Sequence, residues 1–239
     1  MHMVRNLLLI SNSTLHGSGY LDHCEEQIRN FLGKPPKNVV FIPYARPGGI
    51  SHDEYTAIAQ KKFEQMGYQL TGIHTYNDFS SILESADAIF TGGGNTFVLL
   101  NELYNNNLIE PIQKAVFQGT HYIGTSAGSN IATPNIKTTN DMPIIYPPSF
   151  DALNLVGFNL NPHYIDSDPT STHMGETREK RIQEFHCYNT TPVLGLREGA
   201  MLHIKDTTMT LLGSTGARLL QKDQEPREYK PGSDLSFLL

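Results

Sequence analysis

Cysteine is scarce: Cys24 and Cys187 are the only two in 239 residues. Two cysteines without paired spacing make neither a disulfide framework nor a zinc site, and no other metal-ligand spacing is visible. The shortage points to a reducing cytosol, hence a cytoplasmic protein, with no metal and no cofactor expected. Long apolar runs are also missing. The run Leu7-Leu8-Leu9-Ile10 falls far short of the roughly 20 residues that a spanning helix needs. No small-residue cleavage site follows it, so neither a membrane partner nor a signal peptide is expected. Basic residues are outnumbered, 18 Lys and Arg against 24 Asp and Glu, for a net charge of −6. That balance argues against a nucleic-acid partner, which would require a basic face. It also means that any anionic substrate needs a local cation inside its site.

What is present is an ordinary globular composition, 38% hydrophobic and 18% charged, enough to fold by burial alone. The length suits one domain over residues 1–239. Short apolar runs alternate with longer amphipathic stretches, the rhythm of parallel strands joined by helices. Strands are expected at Leu7–Ile10, Val39–Ile42, Leu70–Ile73, Ala88–Phe90 and Tyr122–Ile123. Helices are expected at Asp22–Phe31, Glu54–Met66, Thr96–Leu103 and Leu108–Phe117. The implied fold is α/β, with a mostly parallel central sheet, helices on both faces and right-handed crossovers, as in flavodoxin-like proteins. From Thr133 to Asp168 the rhythm breaks into a Pro-, Asn- and Asp-rich stretch, and such segments are usually functional. A helix over Glu176–His186 and strands at Val193–Leu196, Met201–Ile204 and Met209–Leu212 follow.

Gly124-Thr125-Ser126-Ala127-Gly128 matches G-x-S-x-G between a strand and a helix-compatible segment. Flanking glycines let the chain turn sharply and present the serine at an exposed apex. The helix start that follows offers free N–H groups, that of Ala127 first, to an oxyanion. Taken alone, the motif fits equally a serine that merely caps a helix. A second cluster, Gly92-Gly93-Gly94-Asn95-Thr96, also links a strand to a helix. Gly93 or Gly94 could add the other oxyanion donor. No Lys-Ser or Lys-Thr follows it and G-x-G-x-x-G is absent, so a nucleotide loop is not expected.

A serine nucleophile needs a histidine base and a third group to orient that base. Of ten histidines, His2, His16, His23, His52, His74, His121, His186 and His203 sit in terminal, loop or ordinary helix and strand contexts. His163 stands apart, in Asn161-Pro162-His163-Tyr164, where proline stiffens the backbone. His173 is the competitor. Asp141 and Glu198 are both candidate orienters, and residue pattern favours neither. Asp141 reads equally as a turn before proline, and Glu198 as a hairpin carboxylate.

These blocks together resemble peptidase E, the α-aspartyl dipeptidase family of serine peptidases with the class I glutamine amidotransferase-like fold. The resemblance runs nearly end to end. It is carried by Leu9 to Thr14, Phe41-Ile42-Pro43, Gly92 to Phe97, Ser126-Ala127-Gly128, Thr138 to Pro143, Asn161-Pro162-His163 and Gly175 to Glu179. It implies Ser126 as nucleophile, His163 as base and Asp141 as acidic member, with Glu198 as the alternative. If Glu198 orients the base, Asp141 is free to bind substrate. It further implies short peptides with an N-terminal aspartate as substrates, Arg178 and Asn95 as substrate-binding residues, and Arg178 as the required local cation. Without the resemblance, Arg178 would read as solvated on a charge-rich helix face. Thr125 departs from the aromatic residue that bacterial members often carry before the nucleophile, which bears on pocket shape. The rivals are a cyanophycinase-like β-aspartyl peptidase and a noncatalytic binding module on the same fold. A glutamine amidotransferase would need cysteine at Ser126. Oligomeric state stays open between monomer and homodimer.

Overall fold

The protein is described by a computed structural model over residues 4–35, 37–168, 170, 172 and 175–239. His2 and His173 fall outside the described residues. The strands, in chain order, are β1 (Asn6–Ile10), β2 (Asn38–Ile42), β3 (Gln69–Gly72), β4 (Ala88–Thr91), β5 (His121–Thr125), β6 (Asn159–Pro162), β7 (Val193–Leu196), β8 (Ala200–Lys205), β9 (Thr208–Gly213), β10 (Ala217–Leu220) and β11 (Arg227–Tyr229). The α-helices are α1 (Glu25–Leu32), α2 (His52–Gln65), α3 (Phe79–Ser85), α4 (Thr96–Asn105), α5 (Ile109–Phe117), α6 (Ala127–Asn130) and α7 (Arg178–Tyr188).

Seven strands form a sheet in the order β3-β2-β4-β5-β1-β8-β9. The first five in that order pair in parallel, while β8 and β9 continue the sheet antiparallel. Strands β1, β2 and β4 are near-continuous apolar runs because helices cover both their faces, whereas β3, at the sheet edge, alternates exposed and buried positions. Alternate side chains accordingly enter different cores. Leu7, Leu9, Val40, Ile42 and Ile89 pack with residues of α4 and α5. Leu8, Ile10, Val39, Phe41 and Phe90 pack with residues of α1 and α2. The mixed α/β fold expected from the sequence is therefore present. A second sheet, β11-β10-β7-β6, contributes Leu194, Leu196, Ala217 and Leu219 to the first of these cores.

Several boundaries moved for local reasons. The helix expected over Asp22–Phe31 opens as a 3-10 turn at Asp22–Cys24 before α1. The strand expected to reach Ile73 stops at Gly72, where another 3-10 turn begins. The helix expected from Glu176 starts at Arg178, because Thr177 caps it by accepting from Lys180 N–H. Helix α3 was unforeseen, although Asp78 caps it. So were β6, inside the supposedly irregular stretch, and the β10 and β11 pair. No helix among the described residues is long and apolar enough to cross a membrane.

Candidate active site

Ser126 stands at the junction of β5 and α6 with φ 53° and ψ −109°, a conformation that costs a non-glycine residue energy and clusters at functional sites. The turn is held from below. Ser126 N–H donates to Ile10 O at 3.0 Å, and Ser129 Oγ lies 2.7 Å from both Ile10 O and Gly124 O, which share its single proton. The flanking glycines serve close approach. A Cβ on Gly124 would lie 2.5 Å from Gly128 O, and one on Gly128 would lie 2.2 Å from Thr91 O. Helix α6 is a single turn, so its dipole adds little, and Ala127 is its first residue.

The second glycine cluster reaches the same place, as expected of loops at the carboxyl ends of neighbouring strands. A Cβ on Gly93 would lie 3.0 Å from Ser126 Cβ. Gly94, at φ +148°, passes so near Ala45 that a Cβ would lie 2.0 Å from its carbonyl oxygen. Gly93, Gly94 and Ala127 line one cavity with Ser126, of about 520 Å³.

His163 follows β6 and also adopts a positive φ, 53°. Its backbone is fixed from three sides. Its N–H donates to Ser11 Oγ at 2.9 Å, Ser11 Oγ donates to Leu196 O at 2.7 Å, and Asn140 Nδ2 donates to Pro162 O at 2.8 Å. The ring sits between two partners, Ser126 Oγ at 3.0 Å from Nε2 and Glu198 Oε1 at 2.7 Å from Nδ1. An ionised carboxylate only accepts, so Nδ1 carries the proton and the Nε2 lone pair faces the serine hydroxyl. Glu198 lies in the turn between β7 and β8. Its carbonyl accepts from Thr215 Oγ1 at 2.6 Å, and the next N–H, of Gly199, donates to Asn12 Oδ1 at 2.8 Å.

Among the described residues the carboxylate that meets the His163 ring is that of Glu198, and Asp141 is engaged elsewhere. Its Oδ2 accepts from Thr96 N–H at 2.7 Å, Thr96 Oγ1 at 2.5 Å and Thr139 Oγ1 at 3.1 Å. A carboxylate is drawn there because the first turn of α4 leaves N–H groups without intrahelical partners. Asn95 is likewise committed elsewhere. Its Oδ1 accepts from Phe97 and Val98 N–H at 3.1 Å each, and its Nδ2 donates to Met142 O at 2.9 Å, so its side chain caps α4 and holds the 141–142 loop.

Arg178 is half-buried at the start of α7 and lines the cavity with Asp141. Burial lowers its pKa, the neighbouring Arg181 does so further, and Asp141 opposes both. Thr125 is fully buried in β5 and is not among the residues that line the cavity. Sequence reasoning passed over Ser13, Thr139 and Arg46, all on the cavity wall. Arg46 was findable as the one cation in the loop directly after β2, at the carboxyl end of a parallel strand where such sites form.

The family model for peptidase family S51 matches residues 7–212. A Drosophila melanogaster protein named a probable alpha-aspartyl dipeptidase is 48% identical, the match covering 100% of this chain and 99% of that one. Peptidase E of Streptomyces coelicolor is 49% identical over 98% of this chain and 95% of its own. Among solved structures, a Listeria monocytogenes protein assigned as peptidase E superposes with a TM-score of 0.68 at 25% identity, covering 89% of this chain and 100% of that one. A peptidase from an acI-B1 actinobacterium shares the fold, with a TM-score of 0.76 at 17% identity over 99% of this chain and 98% of that one. With a family model matched over most of its length and relatives nearly half identical from end to end, the chain belongs to peptidase family S51.

Proposed function

We propose that the protein is a serine exopeptidase that hydrolyses the bond after an N-terminal aspartate in dipeptides and short peptides. The observation that carries this reading is the relay from Ser126 Oγ through His163 to Glu198 in a cavity that also holds Arg178 and Asp141. Ser126 Oγ attacks the carbonyl carbon of the aspartyl residue while His163 Nε2 accepts its proton. Glu198 holds the imidazole in the reactive tautomer and offsets the charge it acquires. The N–H groups of Gly93 or Gly94 and of Ala127 receive the oxyanion. His163 then protonates the departing amine, and water, deprotonated by the same nitrogen, hydrolyses the aspartyl-enzyme.

For recognition, the Arg178 guanidinium offers a rigid fork to the aspartate side-chain carboxylate. The Asp141 carboxylate, held at Oδ2 by threonines, turns its remaining acceptor capacity to the substrate ammonium. Two unpaired cysteines, Cys24 buried and Cys187 exposed, support a cytoplasmic setting.

The test is hydrolysis of Asp-Leu by wild type and Ser126→Ala. The variant is expected to lose on the order of 10³-fold or more in kcat, and a reactive serine probe is expected to label wild type alone. Undiminished hydrolysis by Ser126→Ala would refute the mechanism. Faster release from β-linked than α-linked aspartyl peptides would move the assignment to a β-aspartyl peptidase.

A further inference from the structure

Four formal charges line the cavity: Arg46, Asp141, Arg178 and Glu198. Glu198 is committed to His163. Asp141 and Arg178 suit the ammonium and side-chain carboxylate of the substrate's first residue. Arg46 remains, and the proposed chemistry gives it no task.

Its placement is specific. Arg46 Nε donates to Gly93 O at 3.1 Å, and the guanidinium carbon stands 5.1 Å from the centre of the Tyr55 ring. Tyr55, itself buried, donates its hydroxyl to the same carbonyl at 3.1 Å. One edge and one face of the guanidinium are thus fixed beside the glycine that touches Ser126. Nη1 and Nη2 have no hydrogen-bond partner, and the side chain has no ion-pair partner, among the described residues. A planar guanidinium with a free edge is suited to grip a carboxylate.

An Asp-X dipeptide carries one positive and two negative charges. The ammonium and side-chain carboxylate belong to a single residue, so their partners must be neighbours. Asp141 and Arg178 are neighbours on the cavity wall, and the Asp141 charge acts on the Arg178 guanidinium. The second negative charge is the carboxylate of X, one residue past the scissile carbonyl. A residue spans at most about 3.6 Å of extended chain, so its partner must lie close to the nucleophile. We propose that Arg46 binds the free carboxylate of the residue after aspartate and thereby makes the enzyme favour dipeptides over longer or C-terminally blocked substrates. This rests on the aspartyl-peptidase reading above.

The experiment compares kcat/KM for Asp-Leu, its C-terminal amide, and Ala-Leu, in wild type, Arg46→Gln and Arg46→Lys. Loss of one charge-assisted carboxylate contact predicts that wild type favours Asp-Leu over the amide by about tenfold or more. In Arg46→Gln that ratio is expected to collapse to near unity, chiefly through a higher KM for Asp-Leu, with Arg46→Lys intermediate. Equal loss on acid and amide would overturn the proposal and leave Arg46 as a support for Gly93. So would a wild-type ratio near one, which needs no variant to fold. If aspartate preference over Ala-Leu survives in either case, only the Arg46 assignment fails. If wild type shows no preference for aspartate, the aspartyl reading fails and takes this assignment with it.

Discussion

Two carboxylates separate cleanly at the scale of single residues. Glu198 faces His163 Nδ1, and Asp141 is gathered by Thr96 and Thr139. Glu198→Gln replaces a charged acceptor with a neutral amide, which no longer offsets the imidazolium charge and can present its NH₂ to the ring. It is expected to lower kcat by about 10²- to 10⁴-fold with little change in KM, as for loss of the third triad member elsewhere. Asp141→Asn is expected to act chiefly on KM for aspartyl substrates. Steady-state kinetics on Asp-Leu distinguishes the two, and the opposite split would return Asp141 to the triad. Gly128 makes a different kind of demand. Alanine there would drive a methyl group into the Thr91 carbonyl, a backbone atom that cannot swing aside. Gly128→Ala is expected to destabilise folding by about 1–3 kcal/mol in urea denaturation.

Among the elements, the small sheet does more for the site than its size suggests. Strand β6 leads directly into His163, and the turn leaving β7 carries Glu198. The β10 and β11 pair is tied to both neighbourhoods by one chain of ion pairs. Arg197 joins Asp166 at 2.6 Å and Glu228 at 2.9 Å, and Arg218 joins Glu228 at 2.8 Å and Glu179 at 2.9 Å. Glu179 is the residue after Arg178. Arg218→Met should therefore loosen the first turn of α7 and raise KM for Asp-Leu by roughly three- to tenfold, while leaving kcat nearly intact. A variant with unchanged KM would show that α7 is held by its own cap and core contacts. The same elements mark the limit of what the sequence makes legible. Continuous apolar runs such as Leu7–Ile10 announce buried parallel strands, and G-x-S-x-G announces its turn, because the cause of each is local. Strand β6 reads Asn-Leu-Asn-Pro and hides, because its polar positions are satisfied at a distance, Asn161 Nδ2 donating to Thr138 O and Asn159 Nδ2 to Asn135 Oδ1. The choice between Asp141 and Glu198 is likewise a matter of which strand ends meet in space.

Across the whole molecule, half-buried histidines set the first response to acid. His23, His121 and His203 are all held below the usual histidine pKa, in each case first by burial. For His23 the nearby Asp22 and Glu198 oppose the shift. For His121 the Asp87 carbonyl opposes it, while the charges of Lys37 and Lys205 reinforce it. The unfolded chain takes up protons at these positions near pH 6.5, and the folded chain does so only at lower pH. Between those limits the unfolded state binds more protons, so folding stability falls as pH falls. Asp166 adds a second, lower window. The hydrogen bonds from Arg197 depress its pKa, so the stability it contributes is complete above about pH 4 and is lost as pH falls further. Two stages of acid destabilisation are therefore expected in urea titrations, the first beginning near pH 6.5, well above the window set by Asp166. His121 packs edge-on against Phe31 at 5.0 Å between ring centres. Replacing it with phenylalanine keeps that contact and removes the titration. His121→Phe should flatten the slope of stability against pH between about 6.5 and 5 while preserving the loss below about 4. An unchanged slope would mean that His121 takes up its proton as readily in the folded chain as in the unfolded one.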